Sequence, residues 1–227
     1  MIAAVKASTV GDEATAAIGQ LCETYWYPLY VYARRRGYSA EDAADLTQSF
    51  FGRLLDERDL QAADPQRGRF RSFLLTVFKR FIARQVQRHN AQKRGGGRAI
   101  ISLDLSAGED RYRIEPVDRL TAEQLFERRW AMTVLEVALS RLRTEYRERG
   151  QEEFFRAARP WLSGDTASES YDTVAAKLGT TAGALRVAVH RMRQRCRELL
   201  RNEVAATLED SAAIDDEILR LRKSLGG

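Results

Sequence analysis

Apolar residues in this chain recur three and four positions apart along almost the whole sequence, which is the spacing of one buried face of a helix. Alternating β-branched runs are scarce, only residues 99–105 look briefly strand-like, and proline occurs four times in 227 residues. The sequence therefore predicts an all-α protein. Helical patterns cover residues 12–36, 40–56, 69–92, 120–147, 151–162, 171–178, 182–206 and 212–225.

A glycine run at residues 95–97 separates these patterns into two groups. The polar stretch that follows, to about residue 118, lacks helical periodicity and has the composition of a flexible linker. We therefore expect two small helical domains joined by this linker. Within the first group, Gly37 ends one helix, and Ser39 with Asp42 three residues later forms the capping signature of the next.

Charge and cysteine content limit the kind of function. The formal net charge of +5 favours an anionic partner such as nucleic acid. Cys22 and Cys196 are the two cysteines, and neither has a second Cys or a His at metal-ligand spacing. We expect no disulfide, metal or cofactor, which suits a reducing cytoplasm. No leader pattern and no apolar run of roughly 20 residues occurs, so we expect a cytoplasmic protein without membrane contact.

The largest charge imbalance lies between residues 67 and 98, where the chain has ten cations and no acidic residue. Arg71, Lys79, Arg80 and Arg88 lie mostly off the apolar stripe of this segment, which predicts that they point outward. A solvated surface would explain a short cationic run, but a long one interleaved with aromatics favours nucleic-acid binding. The predicted core stripe contains Phe70, Phe73, Leu74, Val77, Phe78, Phe81, Ile82 and Val86.

A different pattern occupies residues 171–197. Residues 171–178 predict a short helix, Gly179 and Thr180 a turn, and Thr181 the N-cap of a longer helix, which is a helix-turn-helix pattern. The outward face of the second helix suits a DNA major groove, although an ordinary helical hairpin with a basic surface would share the pattern. The predicted buried stripe is Leu185, Val189, Met192, Cys196 and Leu199, and the opposite face is Gly183, Val187, His190, Arg191 and Gln194, flanked by Arg186 and Arg197.

The order of these segments resembles the extracytoplasmic-function (ECF) branch of the sigma-70 family of RNA polymerase sigma factors, over roughly residues 19–205. Each segment is weakly specific alone, but the four in this order are specific. The segments that carry the resemblance are residues 25–29 (Tyr-Trp-Tyr-Pro-Leu) with 33–35, residues 42–51 (Asp-Ala-Ala-Asp-Leu-Thr-Gln-Ser-Phe-Phe), residues 64–74 (Asp-Pro-Gln-Arg-Gly-Arg-Phe-Arg-Ser-Phe-Leu) and residues 171–200.

The resemblance implies a subunit that binds core RNA polymerase and directs promoter recognition, DNA melting and transcription initiation, without enzymatic activity. Its partners would be core RNA polymerase and promoter DNA, with an anti-sigma factor or a Ser/Thr kinase as a candidate regulator. The implied organisation is an N-terminal extension at 1–18, a sigma region 2-like domain at 19–94, a linker at 95–119, a sigma region 4-like helix-turn-helix domain at 120–205 and a C-terminal helical extension at 206–227.

Three sets of site residues follow from this resemblance. Polymerase binding is implied for Glu41, Asp42, Asp45, Leu46, Gln48 and Phe51. Contacts with the minus-ten promoter element are implied for Arg67, Arg69, Arg71, Lys79, Arg80, Arg84 and Arg88. Contacts with the minus-thirty-five element are implied for Thr181, Gly183, Arg186, Val187, His190, Arg191 and Gln194.

Two departures from the family pattern affect what is carried over. Ala44 and Ser49 occupy positions that are commonly acidic, so we expect weaker polymerase binding, and phosphorylation of Thr47 or Ser49 would restore negative charge unless Glu41, Asp42 and Asp45 suffice without it. Arg80 and Arg84 stand where Asn and an acid are frequent, so minus-ten sequence preference is not transferred.

Residues 203–227 extend beyond the usual end of such proteins. Ile214, Ile218, Leu221 and Leu225 stand at helical spacing, and acidic residues 215–217 lie near the predicted helix start. A packed extension explains this pattern, and the alternative is a regulatory helix that masks a DNA or polymerase surface until a signal releases it.

Two other functions compete with the sigma-factor interpretation. Glu41, Asp42 and Asp45 share one helical side and could hold Mg²⁺ as in a helical nuclease, but no second acidic cluster complements them and no catalytic motif accompanies them. A stand-alone helix-turn-helix transcriptional regulator is the stronger alternative. Such regulators usually dimerise on palindromes and have no use for a second, aromatic-rich basic domain.

Overall fold

The computed structural model of the chain describes residues 12–56, 70–91, 109, 112, 120–162, 169–208 and 211–226. Every regular element in these ranges is helical, so the predicted all-α class is confirmed. Residues 1–11 of the predicted N-terminal extension (1–18) lie outside the described residues, as does the predicted linker (95–119) except for Glu109 and Tyr112. The eight α-helices of the described ranges are α1 Asp12–Arg35, α2 Ala40–Asp56, α3 Phe70–Ala91, α4 Ala122–Glu148, α5 Glu152–Ala158, α6 Tyr171–Lys177, α7 Ala182–Ala206 and α8 Ile214–Leu225.

Short polar side chains begin several of these helices. The Asp42 amide donates to Ser39 Oγ at 3.0 Å, as the capping signature before α2 predicts. At the start of α4, the Thr121 amide donates to Gln124 Oε1 at 2.9 Å and the Gln124 amide donates to Thr121 Oγ1 at 3.2 Å. This reciprocal pair is a full capping box, and it satisfies amides that have no partner within the helix.

The chain divides into two compact units, one built from residues 1–133 with 205–227 and the other from residues 134–204. The boundary differs from the sequence-based division, which assigns the whole of 120–205 to the second domain. Side chains in the first half of α4 account for the difference, because Glu123, Glu127 and Trp130 contact residues of α3 within the first unit. The C-terminal helix α8 also belongs to the first unit.

Aromatic packing forms the core of the first unit. Phe50 of α2 lies against Phe78 of α3 with ring centroids 5.0 Å apart, and Tyr32 of α1 approaches the same Phe78 at 6.1 Å. Such edge and tilted contacts between buried rings stabilise beyond the area they bury. Phe51 is 1% exposed and belongs to this core, so the predicted role of Phe51 in polymerase contact is corrected to a packing role.

Arg71 is the main exception to the predicted outward orientation of the cations. It lies in the first turn of α3 and is only 4% exposed, stacked on the Trp130 ring at 4.5 Å and ion-paired with both Glu127 of α4 and Glu217 of α8. A guanidinium is buried only where carboxylates neutralise it. Periodicity predicted solvent exposure because it could not reveal that two acids, 56 and 146 positions away in sequence, meet this residue.

Two residues of the predicted linker also contact the first unit. Glu109 accepts hydrogen bonds from the Arg34 guanidinium at 3.0 and 3.1 Å and from the Tyr30 hydroxyl at 2.5 Å. The Arg34 guanidinium also lies 4.9 Å from the Tyr112 ring centroid. Glu109 and Tyr112 themselves therefore contact side chains of α1.

The second unit has a separate hydrophobic core. It joins the second half of α4 to α5, α6 and α7, and a 3₁₀ turn at Arg159–Trp161 brings the Trp161 ring to 4.4 Å from that of Tyr171. Three α7 residues of the predicted stripe, Leu185, Val189 and Met192, are at most 1% exposed. The buried residues of this core are Ala138, Leu142, Tyr146, Phe155, Ala158, Trp161, Val174, Ala175, Leu185, Val189, Met192 and Leu199.

Two glycines flanking Thr181 should respond oppositely to alanine. Gly179 has φ +63°, where a β-carbon is strained, whereas Gly183 is helical with open space around it. We expect Gly179→Ala to lower the free energy of unfolding by about 1 kcal/mol. Gly183→Ala should raise it by about 0.5 kcal/mol because alanine favours the helix. Urea denaturation of both variants measures this, and equal effects of the same sign would contradict the assigned turn.

Candidate nucleic-acid interface

The segment from α6 to α7 is a short helix, a four-residue connection (residues 178–181) and a long helix. Helix α6 ends at Lys177 with Leu178 as its C-cap, and Gly179 reverses the backbone in the left-handed region. The Thr180 amide donates to the Ala175 carbonyl at 2.9 Å. Thr181 Oγ1 then accepts from the Ala184 amide at 3.2 Å, which is the predicted cap of α7. These local bonds determine where α7 begins relative to α6.

The outward face of α7 is open to solvent along its first four turns. All seven residues that the sequence assigns to this face are exposed, and Val187 is 52% exposed although it is apolar. An exposed valine beside cationic and amide side chains is the composition of a surface that can meet a thymine methyl, base edges and phosphates. The seven residues are Thr181, Gly183, Arg186, Val187, His190, Arg191 and Gln194.

Polar contacts hold the opposite side of α7 in place. The Arg195 guanidinium donates to both carboxylate oxygens of Glu145 on α4, at 2.7 and 3.0 Å, and the Arg193 guanidinium donates to the Trp161 carbonyl at 2.7 and 2.9 Å. Bidentate guanidinium contacts restrict rotation as well as separation. They join the side of α7 opposite its exposed face to α4 and to the turn at Trp161.

Arg186 is the one cation of this face with a described aromatic neighbour. Its guanidinium lies 5.3 Å from the centroid of the Tyr171 ring, which itself stacks on Trp161. A guanidinium resting on an aromatic face keeps its donors available to an anion. Tyr171 therefore positions Arg186 at the edge of the α7 surface.

The cations of α3 occupy three different environments. Arg80 and Arg84 are exposed, Lys79 is exposed but ion-paired with Glu123 of α4 at 2.6 Å, and Arg71 is buried. Arg67, Arg69 and the side chain of Arg88 lie outside the described residues. The described α3 surface is thus less cationic than its sequence indicates, because acids from α4 and α8 pair with two of its charges.

A groove beside Lys79 combines aromatic and cationic groups. It has a volume of about 520 Å³. Its lining includes Tyr32, Tyr38, Arg36, Lys79 and the Glu123 carboxylate that pairs with Lys79, together with apolar side chains of α3. Lys79 Nζ lies 5.7 Å from the centroid of the Tyr32 ring. Rings and cations side by side can accommodate an unstacked base and its phosphate.

Helix α2 separates its acidic residues from its apolar ones. Glu41, Asp42 and Asp45 are exposed, and Leu46 and Gln48 are half-buried. Thr47 is fully buried and donates its hydroxyl to the Ala43 carbonyl at 2.7 Å, whereas Ser49 is exposed. Of the two candidate phosphorylation sites, Ser49 is thus open to solvent in this conformation and Thr47 is not.

Metal binding, thiol reactivity and membrane insertion have little structural support in the described ranges. There, no group of three or more His, Cys, Asp or Glu is arranged to hold a metal ion. Burial raises the pKa of the Cys22 thiol to about 11, and burial also raises that of Cys196. None of the helices within the described ranges has both the length and the apolar character that crossing a membrane requires.

Sequence reasoning missed the acids that pair with the basic stretch. Glu123, Glu127 and Glu217 stand in other helical segments, and no local spacing connects them with Lys79 or Arg71.

Comparisons with protein-family models, with curated proteins and with solved structures found no match to this chain.

The contact between Glu145 and Arg195 should make the stability of the fold depend on pH. The Arg195 hydrogen bonds lower the pKa of Glu145, so the stabilisation is complete at neutral pH and is lost as pH falls through that lowered pKa. We expect the free energy of unfolding of Glu145→Gln to be about 0.5–1 kcal/mol lower than that of wild type at pH 7. The effect is small because the pair is partly screened by solvent. The difference should disappear by about pH 2.

Urea denaturation across this pH range measures the effect. Glu148→Gln is the matched control, because Glu148 lies on the same helix and is exposed. If Glu145→Gln matched wild type at pH 7, Arg195 would contribute nothing to the placement of α7.

Proposed function

We propose that this chain is a sigma factor of the extracytoplasmic-function type, which binds core RNA polymerase and directs promoter recognition, DNA melting and transcription initiation. In this proposal the unit of residues 134–204 acts as the helix-turn-helix domain, and α7 reads the minus-thirty-five element. The first unit carries the minus-ten and polymerase contacts. The protein performs no enzymatic step of its own and works in the cytoplasm.

The observation that carries the proposal is the exposed face of α7. A helix enters a major groove only if its outward residues are free, if small residues near its start permit close approach, and if the helix is held rigidly from behind. Gly183 and Val187 meet the first two requirements, and the contacts of Arg193 and Arg195 meet the third.

The α3 surface supports a second DNA contact of a different kind. Arg80 and Arg84 are exposed one helical turn apart, which suits phosphates along one strand. The neighbouring groove lined by Tyr32, Tyr38, Arg36 and Lys79 suits a base that has left the stack. Strand separation of this type needs binding energy and no hydrolytic group.

Helix α2 supports the polymerase contact. Its exposed acids, Glu41, Asp42 and Asp45, lie away from the basic residues of α3 in sequence and carry no described pairing with them. An acidic surface on a protein that otherwise binds DNA favours a protein partner through charge complementarity. The buried positions of Ala44 and Thr47 leave Ser49 as the place on this helix where added charge would reach a partner.

A stand-alone helix-turn-helix regulator remains the competing function, and the pairing of Arg71 and Lys79 with acids favours it by reducing the cationic surface of the first unit. The two functions differ in their dependence on polymerase. Purified chain is mixed with core RNA polymerase and a random duplex library, bound DNA is selected, and selected duplexes serve as templates for run-off transcription. We expect selection and transcripts only when both proteins are present.

Sequence-specific selection by the chain alone, without co-purification of core polymerase, would establish the regulator instead. Failure to associate with core polymerase, in wild type and in Ser49→Glu alike, would rule out the sigma function.

Arg191 provides a test of the α7 surface. In the presence of core polymerase, we expect Arg191→Gln to weaken binding to the selected duplex and to reduce the slope of log K against log salt by about 0.9, since one phosphate or base-edge cation is lost. Fluorescence anisotropy at several salt concentrations measures both quantities. Arg156→Gln is the control, because Arg156 is an exposed cation of α5 outside the turn and α7, and an equal loss in this control would count against α7.

Ser49 and Thr47 provide a matched test on α2. Ser49→Glu should increase affinity for core polymerase severalfold, because the added charge is exposed beside Asp45. Thr47→Glu should instead destabilise the fold by at least about 3 kcal/mol, because it buries an unpaired carboxylate. Pull-down with core polymerase and thermal denaturation measure these effects. Unchanged polymerase binding by Ser49→Glu would exclude phosphorylation as the missing charge.

A further inference from the structure

The C-terminal helix α8 contributes an acid to the basic stretch of the first unit. Glu217 is 1% exposed and ion-pairs with Arg71, whose guanidinium also contacts Glu127 and lies over Trp130. Arg71 is the first residue of the Arg71, Lys79, Arg80 and Arg84 series on α3. One carboxylate from the end of the chain therefore neutralises a cation within the segment assigned to nucleic acid.

Helix α8 is held to the first unit by a small contact. Of its twelve residues, only Glu217 and Leu221 are buried, while Ile214, Ile218 and Leu225 are half-buried and Leu219 is exposed. Isolated helices of about this length are marginal in water. A helix with so little buried surface can leave its position without dismantling the aromatic core around Phe50 and Phe78.

The centre of this contact is the ion pair between Arg71 and Glu217. An ion pair can exchange one partner for another of like charge more readily than apolar packing can. A buried ion pair contributes little net stability compared with apolar side chains of similar volume, because both charges must be desolvated. A phosphate oxygen satisfies a guanidinium in the same way that a carboxylate does. Displacing Glu217 by a DNA phosphate would keep Arg71 paired throughout.

We propose that α8 is an intramolecular competitor of DNA: Glu217 occupies the guanidinium of Arg71 in the free protein, and a backbone phosphate of the promoter replaces it when DNA binds. This inference rests on the proposed function and adds its regulation. Glu127 stays with Arg71 in both states and keeps the guanidinium oriented. Free chain thus binds DNA weakly, and any partner that removes α8 from the first unit raises its affinity.

Two substitutions on α8 test the competition in the full chain. Glu217→Gln removes the competing charge, and Asp216→Asn removes an equal charge from the adjacent, exposed position. The probe is a fluorescent 30-nucleotide single strand of mixed sequence, titrated at several salt concentrations. We expect Glu217→Gln to bind about fivefold more tightly than Asp216→Asn at 0.1 M salt, with a log–log slope steeper by about 0.7, the value for one added single-strand phosphate contact.

Hydrogen–deuterium exchange in wild type provides a measurement that needs no substitution. Saturation with the same single strand should release α8, so amides of residues 214–225 should exchange at least tenfold faster than in the free chain. Circular dichroism confirms that the variants retain the helical content of wild type. If Glu217→Gln instead unfolds, this exchange experiment alone decides the question.

The outcomes separate this inference from the proposed function. Equal affinities and slopes for Glu217→Gln and Asp216→Asn, or unchanged exchange at residues 214–225 in DNA-saturated wild type, overturn the competition while the sigma-factor proposal stands. Absence of DNA binding by wild type and both variants, with and without core polymerase, overturns the proposed function and this inference together.

Discussion

A guanidinium excluded from water must be paired with carboxylates, and this requirement organises the first unit. Arg71 obtains one from α4 and one from α8, and its planar group rests on Trp130. The same cluster contains Tyr25. Burial raises the pKa of its hydroxyl, and the nearby Arg71 charge offsets part of that rise. Segments far apart in sequence are thereby brought to one place by a single charge.

Local patterns predicted the helices well because their causes are local. The capping groups Ser39 and Thr181 and the positive φ of Gly37 and Gly179 depend only on neighbouring residues, and the apolar stripe of α7 is buried where periodicity placed it. The exposed residues of α7 were predictable for the same reason, since an outward face is the complement of a buried one.

Long-range pairing lay beyond such reasoning. The burial of Arg71, the pairing of Lys79 with Glu123 and the attachment of Glu109 to Arg34 each join residues at least 44 positions apart. Helical periodicity reports whether a side chain points toward a core, but not which charges that core contains. Thr47 is a further example. Periodicity did not reveal that its hydroxyl is buried, where it donates a hydrogen bond to the Ala43 carbonyl of the same helix.

The sheltered cysteines have a consequence for oxidative chemistry. Peroxides attack thiolates rather than thiols, and with a pKa near 11 roughly one Cys22 side chain in ten thousand is ionised at neutral pH. Cys196, half-buried on the core side of α7, is shifted in the same direction. Mild oxidants would therefore react slowly with both sulfur atoms, and α7 would retain its packing under conditions that inactivate proteins with reactive thiols.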